Sequence, residues 1–122
     1  MTSPSQHTHS HRTLSHRTLI IARMQPESAA RIAEVFADSD QGELPGLIGV
    51  RGRSLFQFGD VYVHLVEADQ PPGPEVARHA GHPAFRDISD RLAAFVQPYD
   101  PATWREPKDA MAVEFYRWER DD

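Results

Sequence analysis

The sequence predicts one α+β domain whose elements run strand, helix, hairpin, helix, strand. Three observations carry that prediction: two alternating segments joined by Gly59-Asp60, two stretches with apolar residues at helical spacing, and a strand-like run near either end of the chain, β-branched and apolar in RTLIIARM and alternating in MAVEFYRWE. At 122 residues there is room for one hydrophobic core and not for two.

The first sixteen residues, MTSPSQHTHSHRTLSH, are Ser, Thr and His with almost nothing to bury, and are expected to form a disordered arm. His7, His9 and His11 alternate with small polar residues and could chelate a divalent metal adventitiously, but a solvated tail accounts for them, and no metal site is assigned. The folded domain is expected over residues 17–122. RTLIIARM, from Arg17, has the composition of a buried strand. Pro26-Glu27 then opens a helix, with proline tolerated in the first turn and an acid near the positive end of the dipole. Ala29, Ile32, Ala33 and Phe36 fall at helical spacing, which gives one apolar stripe.

QGELPGLIGV, with three glycines and a proline, reads as a connecting loop. It leads into RGRSLFQFGDVYVHLVEAD, the most informative run in the chain. A two-residue turn at Gly59-Asp60 pairs Phe58 with Val61 and sets Leu55 opposite His64. One face then carries Arg53, Leu55, Gln57, Tyr62, His64 and Val66, and the other carries Ser54, Phe56, Phe58, Val61, Val63 and Leu65. On the mixed face Arg53 lies diagonal to His64, about 7 to 8 Å away between backbones, so a guanidinium and an imidazole can converge on one small ligand.

After the connector QPPGP, Phe85, Ile88, Leu92 and Phe95 are spaced for a second helix, interrupted at His82-Pro83 because the residue before a proline is pushed out of the helical region. MAVEFYRWE alternates Val113, Phe115 and Arg117 against Glu114, Tyr116 and Trp118, and is expected to close the chain as the last strand. This order is the ferredoxin-like βαββαβ arrangement, an antiparallel sheet with helices on one face. The other face needs a cover, and a second copy of the chain, paired symmetrically, supplies one.

A formal net charge of −5 argues against a surface built for nucleic acid or an anionic membrane. Cysteine is absent, so disulfides, thiolate metal sites and a cysteine nucleophile are excluded. No apolar run approaches the roughly 18 to 20 residues of a spanning helix, and nothing before Arg23 has the apolar stretch of a signal peptide, so the expected location is the cytoplasm.

There is no glycine-rich phosphate loop, zinc spacing or nucleophile elbow, so any chemistry must come from scattered residues. RTLIIARM, FADSDQGELPGLIGVRGRSLFQFGDVYVHLVEAD, GHPAF and AVEFYRW resemble the tetracenomycin-type aromatic polyketide cyclases, over about Arg17 to Trp118. The resemblance implies a dimeric α+β barrel that needs no cofactor or metal and closes a ring of a bacterial aromatic polyketide intermediate by aldol condensation and loss of water. It also implies transient contact with polyketide synthase components. Its pocket residues map to Ser39 with Asp40, Arg53 and His64. Ser39 departs from the family pattern, which has histidine there, and a hydroxyl cannot accept a proton near neutral pH as an imidazole can.

An aldol closure needs a base at an acidic methylene, a donor for the developing oxyanion and a rigid pose. His64 is expected as base or acid, Arg53 as the stabiliser of negative charge, and Asp40 as an orienting or proton-holding group. Phe36, Tyr62, Phe85, Phe95 and Trp118 are candidates for an apolar wall against a flat substrate. A purely structural role would instead pair Arg53 with Glu67 or Asp69 and leave Asp40 to terminate the first helix. Two other functions fit the same fold: a cofactor-free monooxygenase acting on an aromatic polyketide, and a non-catalytic chaperone that holds one.

Overall fold

The computed structural model describes residues 16–121. The expected arm therefore lies outside the described residues, apart from His16, which opens the first strand. Strand β1 (His16–Met24) leads through a 3-10 turn (Pro26–Ser28) into helix α1 (Ala29–Asp40). The loop expected over QGELPGLIGV contains a short helix, α2 (Leu44–Ile48), closed by Gly49 with φ 83°. A left-handed residue at that helix end suits glycine, which has no Cβ to clash. Strands β2 (Val50–Phe58) and β3 (Val61–Ala68) form the hairpin, with Phe58 opposite Val61 and Leu55 opposite His64 as the turn requires. Gly59, at φ 62°, supplies the positive-φ position of that turn.

The second helical stretch is two helices, α3 (Pro72–Arg78) and α4 (Pro83–Leu92). His82 is the break between them: it is extended, and its Nδ1 accepts from the Ala84 backbone N–H at 3.0 Å, capping α4. Phe95 falls beyond the end of α4 and not on its stripe.

The sheet order is β2-β3-β1-β4, the antiparallel ferredoxin-like arrangement, but its fourth strand is not the one expected. That place belongs to β4 (Val96–Pro98), paired with Ala22 to Met24 of β1. The MAVEFYRWE segment touches the sheet at its start, where Met111 bridges Ile20 and the Ala112 N–H donates to the Leu19 carbonyl at 2.7 Å. Beyond that point it lies off the sheet, with Val113 at 85% and Phe115 at 95% exposure. The alternation is real, but the chain offers it no face of its own to cover.

The core lies between one sheet face and the helices. Ala22, Met24, Tyr62 and Val66 from the sheet meet Ile32, Val35 and Phe36 from α1, Leu44 and Ile48 from α2, and Ile88 from α4. The buried stripe of α1 is thus rotated from the expected one, since Ala29 and Ala33 are exposed and Val35 is buried. Among the described residues, no helix covers the opposite sheet face. Ile32 is 2% exposed, and Ile32→Ala is expected to lower unfolding free energy by about 2 to 5 kcal/mol, read as a shift in the denaturant midpoint at unchanged slope.

Candidate active site

The pocket is built from the hairpin outward. In β3 the side chains alternate between faces, so Tyr62, His64 and Val66 all point into the core. Arg53 sits on β2 opposite Val66 and diagonal to His64. The unbroken register from the Gly59-Asp60 turn puts Arg53 on this face; the bulge at Arg51, between the pairs Val50 with Ala68 and Gly52 with Glu67, lies beyond it and shifts Val50 alone. The last turn of α1 then brings Asp40 over the strand.

These four side chains form one hydrogen-bonded chain. Asp40 accepts from Arg53 at both Nε (2.9 Å) and Nη2 (2.7 Å), a two-pronged carboxylate-guanidinium pair. Arg53 Nη1 donates to His64 Nε2 at 3.0 Å, and His64 Nδ1 lies 3.1 Å from the Tyr62 hydroxyl. Arg53 therefore pairs with Asp40 and not with Glu67 or Asp69; Asp69 is taken by Arg51, at 3.3 Å.

Guanidinium has five N–H donors and no acceptor. The contact with His64 has one possible polarity, in which Nε2 accepts. Neutral imidazole then carries its proton on Nδ1 and donates it to the Tyr62 oxygen. Phe36 closes the other side, edge-on to His64 with ring centroids 5.0 Å apart and with the Arg53 guanidinium carbon 5.0 Å from its own centroid.

Burial and the adjoining Arg53 cation both disfavour an imidazolium here, and push His64 down to about 3. Burial raises the Tyr62 phenol above its ordinary value, against a smaller opposing effect of Arg53. At neutral pH the site holds a neutral imidazole, a protonated phenol and one compensated ion pair.

These groups open onto a cavity of about 520 Å³, within the range of small-molecule sites. Its walls are mostly apolar, with Phe36 and Ile48 on one side and Phe85, Ile88 and Leu92 on another. Of the expected aromatic wall, Phe36, Tyr62 and Phe85 line the cavity, while Phe95 and Trp118 do not. Phe95 packs against the core from beyond α4, and Trp118 is 66% exposed on the terminal segment. Ser39 is also outside the lining: its backbone carbonyl accepts from Gly42 N–H at 3.0 Å at the helix end. Asp40 reaches the site through Arg53 and does not itself line the cavity.

Trp104 and Met111, from the segment after β4, complete the wall and were not expected there. The available signal was a lone tryptophan in the polar stretch PATWREP, where nothing local would bury it. Among the described residues, no group of three His, Asp or Glu side chains is placed to hold a metal ion. No helix among them is long and apolar enough to cross a membrane.

Residues 16–119 match the sequence pattern of a family described as polyketide synthesis cyclase. The chain is 63% identical over 106 residues to an uncharacterized protein of Streptomyces coelicolor, covering 86% of this chain and 96% of that one. It is 59% identical over 106 residues to the polyketide synthase CurG of Streptomyces cyaneus, covering 87% and 99%. It is 39% identical over 109 residues to the tetracenomycin F2 cyclase of Streptomyces glaucescens, covering 89% and 99%. The solved structure of that cyclase superposes with a TM-score of 0.80 at 40% identity, over 86% of this chain and 98% of that one.

The His64 environment predicts a pH dependence of stability. An unfolded imidazole takes up a proton near 6.5 and the folded one only near 3. The stabilisation from keeping His64 neutral is therefore complete above pH 6.5 and is lost as pH falls toward 3, by at most about 1.4 kcal/mol per pH unit. Denaturant titrations from neutral to acid pH should show a shallower loss in His64→Gln than in the wild-type chain. Ring nitrogen NMR at about pH 5 should still show neutral imidazole protonated on Nδ1.

Proposed function

The chain belongs to the polyketide synthesis cyclase family, and from that premise we propose that it closes a ring of an aromatic polyketide intermediate by intramolecular aldol condensation and dehydration, as a homodimer in the cytoplasm. The observation that carries the reading is the distribution of polarity in the pocket. An apolar cavity of about 520 Å³ has Arg53, His64 and Tyr62 gathered on its sheet wall. A flat, oxygen-rich molecule suits that division, with its carbons against Phe36, Phe85 and Leu92 and its oxygens toward the sheet.

The reaction asks little of the protein beyond pose and polarisation. A methylene between two carbonyls loses a proton, and the resulting enolate carbon bonds to a distant carbonyl carbon. The carbonyl π pair moves to oxygen, which takes up a proton. Loss of that hydroxyl with a neighbouring hydrogen, as water, gives the aromatic ring. Holding the two carbons in contact is worth up to about 7 to 11 kcal/mol in ideal intramolecular cases. Arg53 supports the charge development because three of its five N–H groups are committed, to Asp40 and His64, which leaves two for substrate oxygen.

The homodimer is supported by the sheet face opposite the helices. It carries Leu19, Ile21, Phe56, Phe58, Val63 and Leu65, of which Phe58 is 82% exposed in the single chain. An apolar face of this kind marks an interaction surface. The exposed terminal residues Val113 and Phe115 are covered by the same second copy. Substrate arrives from a polyketide synthase, with which contact is transient.

Two measurements test these readings. A minimal polyketide synthase supplied with this protein should yield a new cyclised product, in air and under argon alike, and lose it with Arg53→Ala. Formation only in air would assign an oxidation instead, and an unchanged product profile would overturn the cyclase reading. In sedimentation at micromolar concentration the wild type should be dimeric and the double substitution Phe56→Asp, Phe58→Asp monomeric; a monomeric wild type contradicts the dimer.

A further inference from the structure

We propose that the Tyr62 hydroxyl is the hydrogen-bond donor to the substrate carbonyl under attack, with His64 acting through it as a positioning residue; the inference rests on the cyclase reading above. The argument follows the hydrogen atoms. Arg53 has only donors, so His64 Nε2 is an occupied acceptor, 3.0 Å from Nη1. His64 Nδ1 must then be the protonated nitrogen, and it points at Tyr62 Oη, 3.1 Å away. Both ring nitrogens are engaged. His64 can take a proton from substrate only if Arg53 first leaves Nε2.

The same direction of donation leaves Tyr62 with its own proton to give. Tyr62 Oη accepts from His64, and the hydroxyl hydrogen has no acceptor among the described hydrogen bonds. Tyr62 is 4% exposed and lines the cavity, so that unpaired donor lies in the pocket wall. A buried donor without a partner is costly unless a ligand completes it, which is the condition of an oxyanion-binding group. The phenol is also held in its protonated form by burial, as a donor must be. Packing fixes its direction: Ala22 lies directly across the β1–β3 ladder and the Tyr62 and His64 rings stand edge to face at 84°.

In the aldol step the enolate carbon bonds to the carbonyl carbon and the π pair moves onto oxygen, to which the Tyr62 O–H bond is directed. The proton that finally resides on that oxygen is the one released by the methylene, carried by water. Tyr62 therefore ends the cycle as it began. Asp40 and Arg53 serve the donor at one remove, because they fix the tautomer of His64 that makes Tyr62 an acceptor on one side and a donor on the other.

The test is a set of single-turnover cyclisation assays on the full chain with an aryl poly-β-ketone thioester mimic, beside thermal melts of each variant. Tyr62→Phe should lower the rate of ring closure by about 100-fold or more, with KM changed less than about threefold and folding retained. His64→Asn keeps an amide N–H where Nδ1 stands and should lose less than about tenfold, whereas His64→Leu should match Tyr62→Phe. The wild-type rate should show no acid limb near pH 6.5. Tyr62→Phe within about threefold of wild type overturns the proposal. So does an acid limb near pH 6.5, or a folded His64→Asn as inactive as His64→Leu, since either makes the imidazole the base. A wild type that binds the mimic but closes no ring overturns the cyclase reading and this inference with it.

Discussion

Arg53 donates to a histidine, and because a guanidinium cannot accept, the polarity of the whole site follows from that contact. Its carboxylate partner Asp40 holds it at two points, 2.9 and 2.7 Å, so the cation is fixed and compensated before it meets the imidazole. From there the direction of each hydrogen bond is settled in turn, out to the Tyr62 hydroxyl. Low polarity around the group makes the arrangement rigid. His64, 4% exposed, is held at both ring nitrogens by Arg53 and Tyr62 and meets Phe36 with ring centroids 5.0 Å apart.

The fold serves that chain by putting its members on different elements. Tyr62 and His64 share a face of β3 because they are two residues apart; Arg53 comes from β2 through a diagonal, and Asp40 from the end of α1. Any slip of one residue in the hairpin register would send Arg53 or the Tyr62 and His64 pair to the opposite face. The Gly59-Asp60 turn therefore bears on the chemistry as much as on the fold. The opposite face of the same sheet is apolar, so one sheet lines a pocket on one side and presents Leu19, Phe56 and Phe58 to solvent on the other.

Much of this was legible in the sequence where local rules apply. The hairpin register followed from a two-residue glycine turn, and with it the diagonal of Arg53 and His64. The break at His82 followed from the proline after it. What failed was whatever depended on distant partners. The terminal alternation at Val113 and Phe115 looks like a strand, yet alternation alone does not make a ladder: the segment bridges β1 at Ile20 through Met111 and then leaves its edge, and the fourth place in the sheet goes to β4. Val35 could not be separated from Ala33 by periodicity, because the choice of stripe depends on where α4 lies. Ser39 adjoins Asp40 in sequence, but on a helix successive side chains diverge by about 100°, so only one of the pair reaches Arg53. Trp104 joins the pocket from an irregular segment that has no period to read.

The directed chain of hydrogen bonds is the centre of the account, and a crystal structure with a bound polycyclic hydroxyketone addresses it most directly. The account predicts a ligand oxygen within about 3 Å of Tyr62 Oη, with Arg53 still on His64 Nε2. A ligand oxygen on His64 Nε2, with Arg53 displaced, would contradict it.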